Sequence, residues 1–266
     1  MRVAFIQMQP EFGRKDENID KAIALMSQTS ADLYVLPELF ATGYVFISPQ
    51  EASGLAEPAR TGQTARRLGD FAKTRKSGVV FGFAEAAAEG NFNSCAFVSD
   101  IGDFRLYRKL HLFFKEKTYF APGNLPLEVF SFREARLGMM ICFDWIFPEV
   151  ARSLSVLGAD IICHPVNLVM SYCQDSMRAR SIENHIYTVT ANRVGTETRG
   201  EDSFKFTGKS QITDCYGNII FRAGEDKEAV FTADIIVEEA RNKDLNALNN
   251  LMKDRRTEFY GPLVEE

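Results

Sequence analysis

The chain has little histidine and little cysteine, three and five among its 266 residues. His111, His164 and His185 leave few imidazoles for metal ligation. Cys95, Cys142, Cys163, Cys173 and Cys215 are an odd number scattered through apolar segments, with no CxxC, which argues against both a disulfide framework and a zinc site. No glycine-rich phosphate loop is present, so neither a metal nor an organic cofactor is expected. Positive charge is not in excess: 31 Lys and Arg stand against 36 Asp and Glu, a net charge of −5. That balance gives no footprint for a polyanion, and it excludes nucleic acid and an anionic membrane surface as expected partners in favour of a small molecule. No apolar run reaches the ~18 residues of a membrane span, and Met1 leads at once into Val3-Ala4-Phe5-Ile6 rather than a basic and then apolar leader. A cytoplasmic location is expected. What is present, 45% hydrophobic and 25% charged residues with no low-complexity tract, fits an ordinary globular chain, read here as one domain over 1–266.

Strand-like and helix-like runs alternate from the start. Val3 to Met8 reads as a strand, Ile19, Ala22, Ile23 and Met26 mark one helical face, and Tyr34 to Leu36 reads as a second strand. A helix through Leu68, Phe71 and Ala72 ends at Gly78 and feeds strands at Val79 to Ala84, Cys95 to Ser99, Arg105 to Leu110, Glu128 to Phe132 and Leu137 to Phe143. The turn Asp100-Ile101-Gly102-Asp103 folds the third of these back on the second. A helix from Pro148 to Gly158 precedes a strand at Ile161 to Cys163, a helix around Met177 to Ile186, and strands near Thr188 to Ala191, Lys209 to Thr213, Ile219 to Phe221 and Val230 to Ala233. Residues 31–39, ADLYVLPEL, echo 159–167, ADIICHPVN, at an offset of 128. Helix, strand and proline at matching depth suggest a pseudo-symmetric pair of sheets, with Glu38 and Asn167 at comparable strand ends.

Three residues in this pattern are suited to chemistry. Cys142 ends an apolar run that abruptly gains Asp144 and Trp145 and turns toward a helix, a corner that exposes a side chain and aims backbone N–H groups at it. Glu38, among Leu, Pro and Phe, is a carboxylate whose desolvation would raise its pKa toward that of a general base. Lys109 sits in the basic and aromatic run YRKLHLFF, where a buried cation needs a carboxylate partner. Taken singly, each has a plain alternative: a small core cysteine, a solvated strand-end acid and an exposed edge-strand cation.

Together, LPELFATGY, YRKLHLF and GMMICFDWIFPEVAR resemble the nitrilase superfamily of carbon–nitrogen hydrolases, whose members use a Glu-Lys-Cys triad in this chain order. The likeness runs from VAFIQMQP through HPVNL and RARSIENHIYTVTANRVG to FTGKSQITDCYGNII. It implies an α/β fold, an α-β-β-α sandwich of two sheets packed face to face with outer helices, stacking as a dimer or larger assembly. It implies that Glu38 is the base, Cys142 the nucleophile, and Lys109 with the Phe143 backbone N–H the holders of an oxyanion. Glu116 resembles the family's additional glutamate, or belongs to the exposed run Lys115-Glu116-Lys117. Tyr44 and Trp145 resemble pocket residues, or fill the core, while Asn167 offers an amide to substrate, or serves a turn. His111 fits a structural hydrogen-bonding role. Residues 241–266 resemble the tail that relatives lay across a partner subunit, the alternative being a solvated terminus.

The implied activity is hydrolysis of a small carboxamide to an acid and ammonia. Hydrolysis of small aliphatic nitriles or dinitriles, of N-carbamoyl amines, and a silent ligand-binding module are the alternatives. Cys142-Phe143-Asp144 departs from the Cys-Trp-Glu of many nitrilases, which favours amides, although small nitrile hydrolases also carry an acid and a tryptophan there. Loops 43–60, 116–127 and 195–205 carry no code for the acyl group.

Overall fold

A computed structural model of the chain describes residues 1–264; the last two residues of the 241–266 tail lie outside the described residues. The first sheet contains β1 (Arg2–Gln7), β2 (Leu33–Val35), β3 (Gly78–Ala87), β4 (Gly90–Ser99), β5 (Phe104–Arg108) and β14 (Ala229–Asp234). The second contains β6 (Val129–Phe132), β7 (Ala135–Met139), β8 (Ile161–Pro165), β9 (Tyr187–Ala191), β12 (Gln211–Thr213) and β13 (Ile219–Arg222). Their orders, β14-β1-β2-β3-β4-β5 and β6-β7-β8-β9-β12-β13, share one sequence of pairings: antiparallel, parallel, parallel, antiparallel, antiparallel. β2 and β8, the two strands of the sequence echo, therefore occupy the same place in their respective sheets.

The alternation in β1 shows how the layers form. Val3 and Phe5 point to the core between the sheets, where they join Val35, Val80 and Phe97 of their own sheet and Leu137, Ile161 and Val189 of the other. Ala4 and Ile6 point the opposite way, to Ile19, Ala22 and Met26 of α1 (Lys15–Ser27) and Leu68 and Phe71 of α3 (Gln63–Arg75). On the far side, α5 (Pro148–Val156) and α6 (Cys173–Asn184) cover the second sheet with Val150, Leu154 and Met177. The result is an α-β-β-α sandwich, as the resemblance implied.

Several boundaries differ from the sequence reading. The run Leu137 to Phe143 is strand only to Met139, because the Asp144 carboxylate takes the Ile141 N–H at 2.9 Å and turns the chain into a 3-10 turn, Cys142–Ile146. β5 stops at Arg108, and α6 begins at Cys173 rather than near Met177. Stretches read as loops hold structure: α2 (Pro49–Leu55), the single turn α4 (Glu116–Tyr119) and a hairpin of β10 (Thr196–Arg199) with β11 (Asp202–Lys205). α2 is started by Ser48, whose hydroxyl accepts the Glu51 N–H, and by Pro49 in its first turn. No helix among the described residues is long and apolar enough to cross a membrane.

Candidate active site

Glu38, Lys109, Cys142 and Glu116 come from four separate segments and meet where the two sheets abut. Glu38 follows β2 and is fully buried. Its backbone presses so closely on β3 that a Cβ at Gly82 would stand 2.5 Å from the Glu38 Cα, so only glycine allows the approach. Lys109 follows β5, its N–H bonded to the Asn93 carbonyl of β4 at 2.9 Å, and its own carbonyl accepts the Gly123 N–H at 2.8 Å. Glu116 opens α4, whose backbone is stapled at Phe113 and Phe120. It is buried, so the exposed-run alternative for Lys115-Glu116-Lys117 does not hold at this residue.

Lys109 Nζ lies 2.7 Å from Glu38 Oε1 and 2.8 Å from each oxygen of Glu116. Asn93 Nδ2 donates to the same Glu38 Oε1 at 2.7 Å, and the Tyr44 hydroxyl donates to Glu116 Oε1 at 2.7 Å. Glu38 Oε2 is buried with no hydrogen-bond partner among the described residues. Burial is the largest influence on Glu38 and raises its pKa, opposed by the Lys109 cation and reinforced by Glu116. Burial alone would lower the Lys109 ammonium, but the Glu116 and Glu38 carboxylates outweigh it and hold the pKa above the ordinary lysine value. The Cys142 thiol is pushed well up by burial and then by Glu38, with Lys109 and the Asn167 peptide acting the other way. The sulfur is thus a thiol beside a carboxylate rather than a standing thiolate.

Cys142 itself has φ = 40°, in the left-handed region that costs a non-glycine residue about 1–3 kcal/mol. Two buried devices hold that corner. Asp144 accepts from Ile141 N, from the Tyr107 hydroxyl at 2.7 Å and from His111, whose Nδ1 lies 2.8 Å away and whose ring stacks on Phe147. His164 Nε2 lies 3.0 Å from the Cys142 carbonyl, which can only accept, so Nε2 carries the proton. Burial pushes the His164 pKa down to about 4, which keeps the ring neutral. Asn93 and His164 carry no label in the sequence and are brought here by the register of β4 and β8, while Asp144, the acid that ends the apolar run, lies in the 3-10 turn itself. Phe143 is the second residue of the 3-10 turn, in the first turn where a backbone N–H has no intrahelical acceptor.

The remaining expected residues divide. Tyr44 reaches the cluster through Glu116, while its N–H and that of Val45 are held by Glu197 of the 196–205 hairpin at 3.0 and 2.5 Å. Glu197 in turn pairs with buried Arg193 at 2.7 Å. Trp145 is buried edge-on to Tyr172 and borders the cleft at Cys142 together with Asn167. The Asn167 amide donates to the Glu38 carbonyl at 2.9 Å, and its Oδ1 is buried without a partner among the described residues. Asn167 is therefore more than a turn residue. The cleft is tight, with about 10 Å³ of space beside the sulfur, room for a single water.

Residues 2–243 match the family model described as carbon-nitrogen hydrolase. The chain is 44% identical to a nitrilase from Pyrococcus abyssi, over 98% of this chain and 99% of that one. It is 31% identical to an (R)-stereoselective amidase from a Pseudomonas species, over 100% and 95% of the two chains. The solved structure of a carbon-nitrogen hydrolase from Helicobacter pylori superimposes with a TM-score of 0.88 at 25% identity, covering 100% of this chain and 99% of that one.

Proposed function

The chain belongs to the carbon-nitrogen hydrolase family, within the nitrilase superfamily, and from that premise we propose that it hydrolyses a small carboxamide through a thioester on Cys142. The observation that carries this is the division of labour on Glu38. Its Oε1 is taken by Lys109 and Asn93, and its buried Oε2 is left to accept a proton.

The thiol stays protonated at rest, so Oε2 takes its proton only as the sulfur adds to the amide carbon. The developing oxyanion is held by the Phe143 N–H and by Lys109. The lysine has three protons, and two suffice for its two carboxylates. A donor placed in this way contributes about 3–4 kcal/mol to the transition state. Glu38, now an acid, returns its proton to the departing nitrogen; ammonia leaves and the acyl group remains on sulfur. Water then gives a proton to Glu38 and attacks the thioester, and collapse releases the carboxylic acid and restores the thiol. Glu116 keeps Lys109 charged and in place.

A nitrile is the second reading, supported by the P. abyssi relative named a nitrilase. There the sulfur would add to the carbon–nitrogen triple bond, and a first water would convert the thioimidate to the same thioester with loss of ammonia. We also keep subunit pairing through the tail as part of this proposal, supported by the exposed Leu248 and Phe259 side chains, and a cytoplasmic setting, supported by five free thiols.

The test is ammonia and acid release from matched small amides, nitriles and N-carbamoyl amines by wild type and Cys142→Ala. Amide turnover that vanishes in the variant is the expected result. Turnover of nitriles alone selects the second reading, and undiminished release by Cys142→Ala overturns the thiol mechanism.

A further inference from the structure

The space beside the Cys142 sulfur is bounded by Phe113, Phe143, Trp145, Leu168, Val169 and Met170, with Asn167 the single polar side chain among them. Among the described residues of this lining, Cys142 alone carries an ionisable side chain. The charged groups nearby are matched to one another except for Glu38 Oε2, and Glu38 is not part of this lining. Glu116 spends its two oxygens on Lys109, Tyr44 and the Phe113 N–H. In a separate recess on the other side of Glu116, bounded by Tyr44, Phe114, Tyr119 and Phe204, Lys115 closes on Asp202 at 2.6 Å. Behind it, Arg199 grips Glu51 through two bonds of 2.7 Å. The deep cluster holds one cation, Lys109, against two carboxylates, Glu38 and Glu116.

Resting on the thiol-hydrolase reading, we propose that this cleft selects an uncharged, apolar acyl group and rejects substrates whose acyl group carries a carboxylate or an ammonium. An acyl carboxylate would leave water for a lining that offers it no cation, and would face a cluster in which carboxylates outnumber the lysine. An acyl ammonium would find Glu116 and Asp202 already paired, and no carboxylate in the lining itself. In a low-dielectric cleft an unpaired charge loses its hydration with nothing in return, whereas an alkyl group entering from the sulfur loses nothing against a lining that is mostly aromatic and aliphatic carbon. The Asn167 amide oxygen is buried at this wall without a partner among the described residues, and it suits a neutral donor such as the N–H of a primary amide.

Two arms test this. In the first, pentanamide, succinamate and 4-aminobutanamide are compared by kcat/KM, with the three corresponding nitriles beside them, so that the ranking by acyl charge is read on whichever head group turns over. The neutral acyl group should lead each charged one by at least about 100-fold. The second arm needs no turnover: alkylation of Cys142 by iodoacetamide, iodoacetate and 2-bromoethylammonium is followed by peptide mass, each rate divided by the same reagent's rate with glutathione. Iodoacetamide should lead by a similar factor, and Met170→Lys should raise the iodoacetate rate at least about tenfold. A charged reagent or substrate that matches its neutral counterpart overturns the proposal. Absence of ammonia from every amide and nitrile, with the alkylation ranking intact, defeats the hydrolase reading and leaves the charge selection of the cleft standing.

Discussion

The Asn167 side-chain amide donates a 2.9 Å hydrogen bond to the backbone carbonyl of Glu38, joining the ends of two strands that hold equivalent places in the two sheets. The bond crosses from one half of the pseudo-symmetric fold to the other. It fixes the peptide of the proposed base against the wall that carries the proposed nucleophile, since the Asn167 peptide itself lies against the Cys142 sulfur.

Asn167→Leu keeps the volume and removes the donor. The buried Glu38 carbonyl would lose its side-chain partner, which costs about 1–3 kcal/mol. Urea unfolding should show that loss with an unchanged m-value, together with a fall in kcat larger than any change in KM. Equal stability and kcat would show that Glu38 is held by other means.

Lys109→Ala leaves Glu38 and Glu116 facing each other without a cation. Breaking a buried pair by removing one partner typically costs about 3–5 kcal/mol. The variant should unfold at markedly lower urea and release no ammonia, and a midpoint near that of wild type would mean that Lys109 is not the keystone of this cluster.

Glu38→Gln tests the base separately from the framework. The glutamine oxygen still accepts from Lys109, while the unpartnered Oε2 position loses its basicity. The expected result is a folded protein with turnover reduced about 10²–10⁴-fold. A reduction of less than tenfold would assign the proton transfer to another group.

His164 gives the fold a pH dependence of known sign. Its pKa is lowered by burial from the ordinary 6.5 to about 4, so the unfolded chain binds this proton more readily than the folded one. Its contribution is therefore complete above pH 6.5 and is lost as pH falls toward 4, about 3 kcal/mol in all. Glu38, raised rather than lowered, acts with the opposite sign, so the readout is a difference. Wild type should lose more stability than His164→Gln between pH 7 and pH 4. Parallel curves would show that His164 is protonated equally in both states.

Much of this was legible before the structure. The order Glu38, Lys109, Cys142 and the motifs around them named the family, and the echo of 31–39 in 159–167 foretold the paired sheets, because helix, strand and proline are local signals. Met139 to Phe143 is uniformly apolar and so reads as strand through Cys142; only the Asp144 carboxylate folding back on Ile141 turns the chain there. The Ser48-Pro49-Gln50-Glu51 start of α2 is a capping pattern that the sequence itself carries within 43–60. The 196–205 hairpin had no comparable signal. Its position depends on Glu197 reaching Arg193 and the N–H groups of Tyr44 and Val45, contacts that exist only after the chain has folded. The same holds for Asn93 and His164, polar residues in buried strands whose roles come from what the fold sets beside them.

The central claim is that the acyl group passes through a thioester on Cys142. The direct measurement is an acid quench of the enzyme during turnover of a small neutral amide, followed by intact-protein and peptide mass. The account predicts a mass increase equal to the acyl group, located on the Cys142 peptide, labile to hydroxylamine and absent from Cys142→Ala. Turnover at full rate with no acyl mass on Cys142, or with the adduct on another residue, would contradict it.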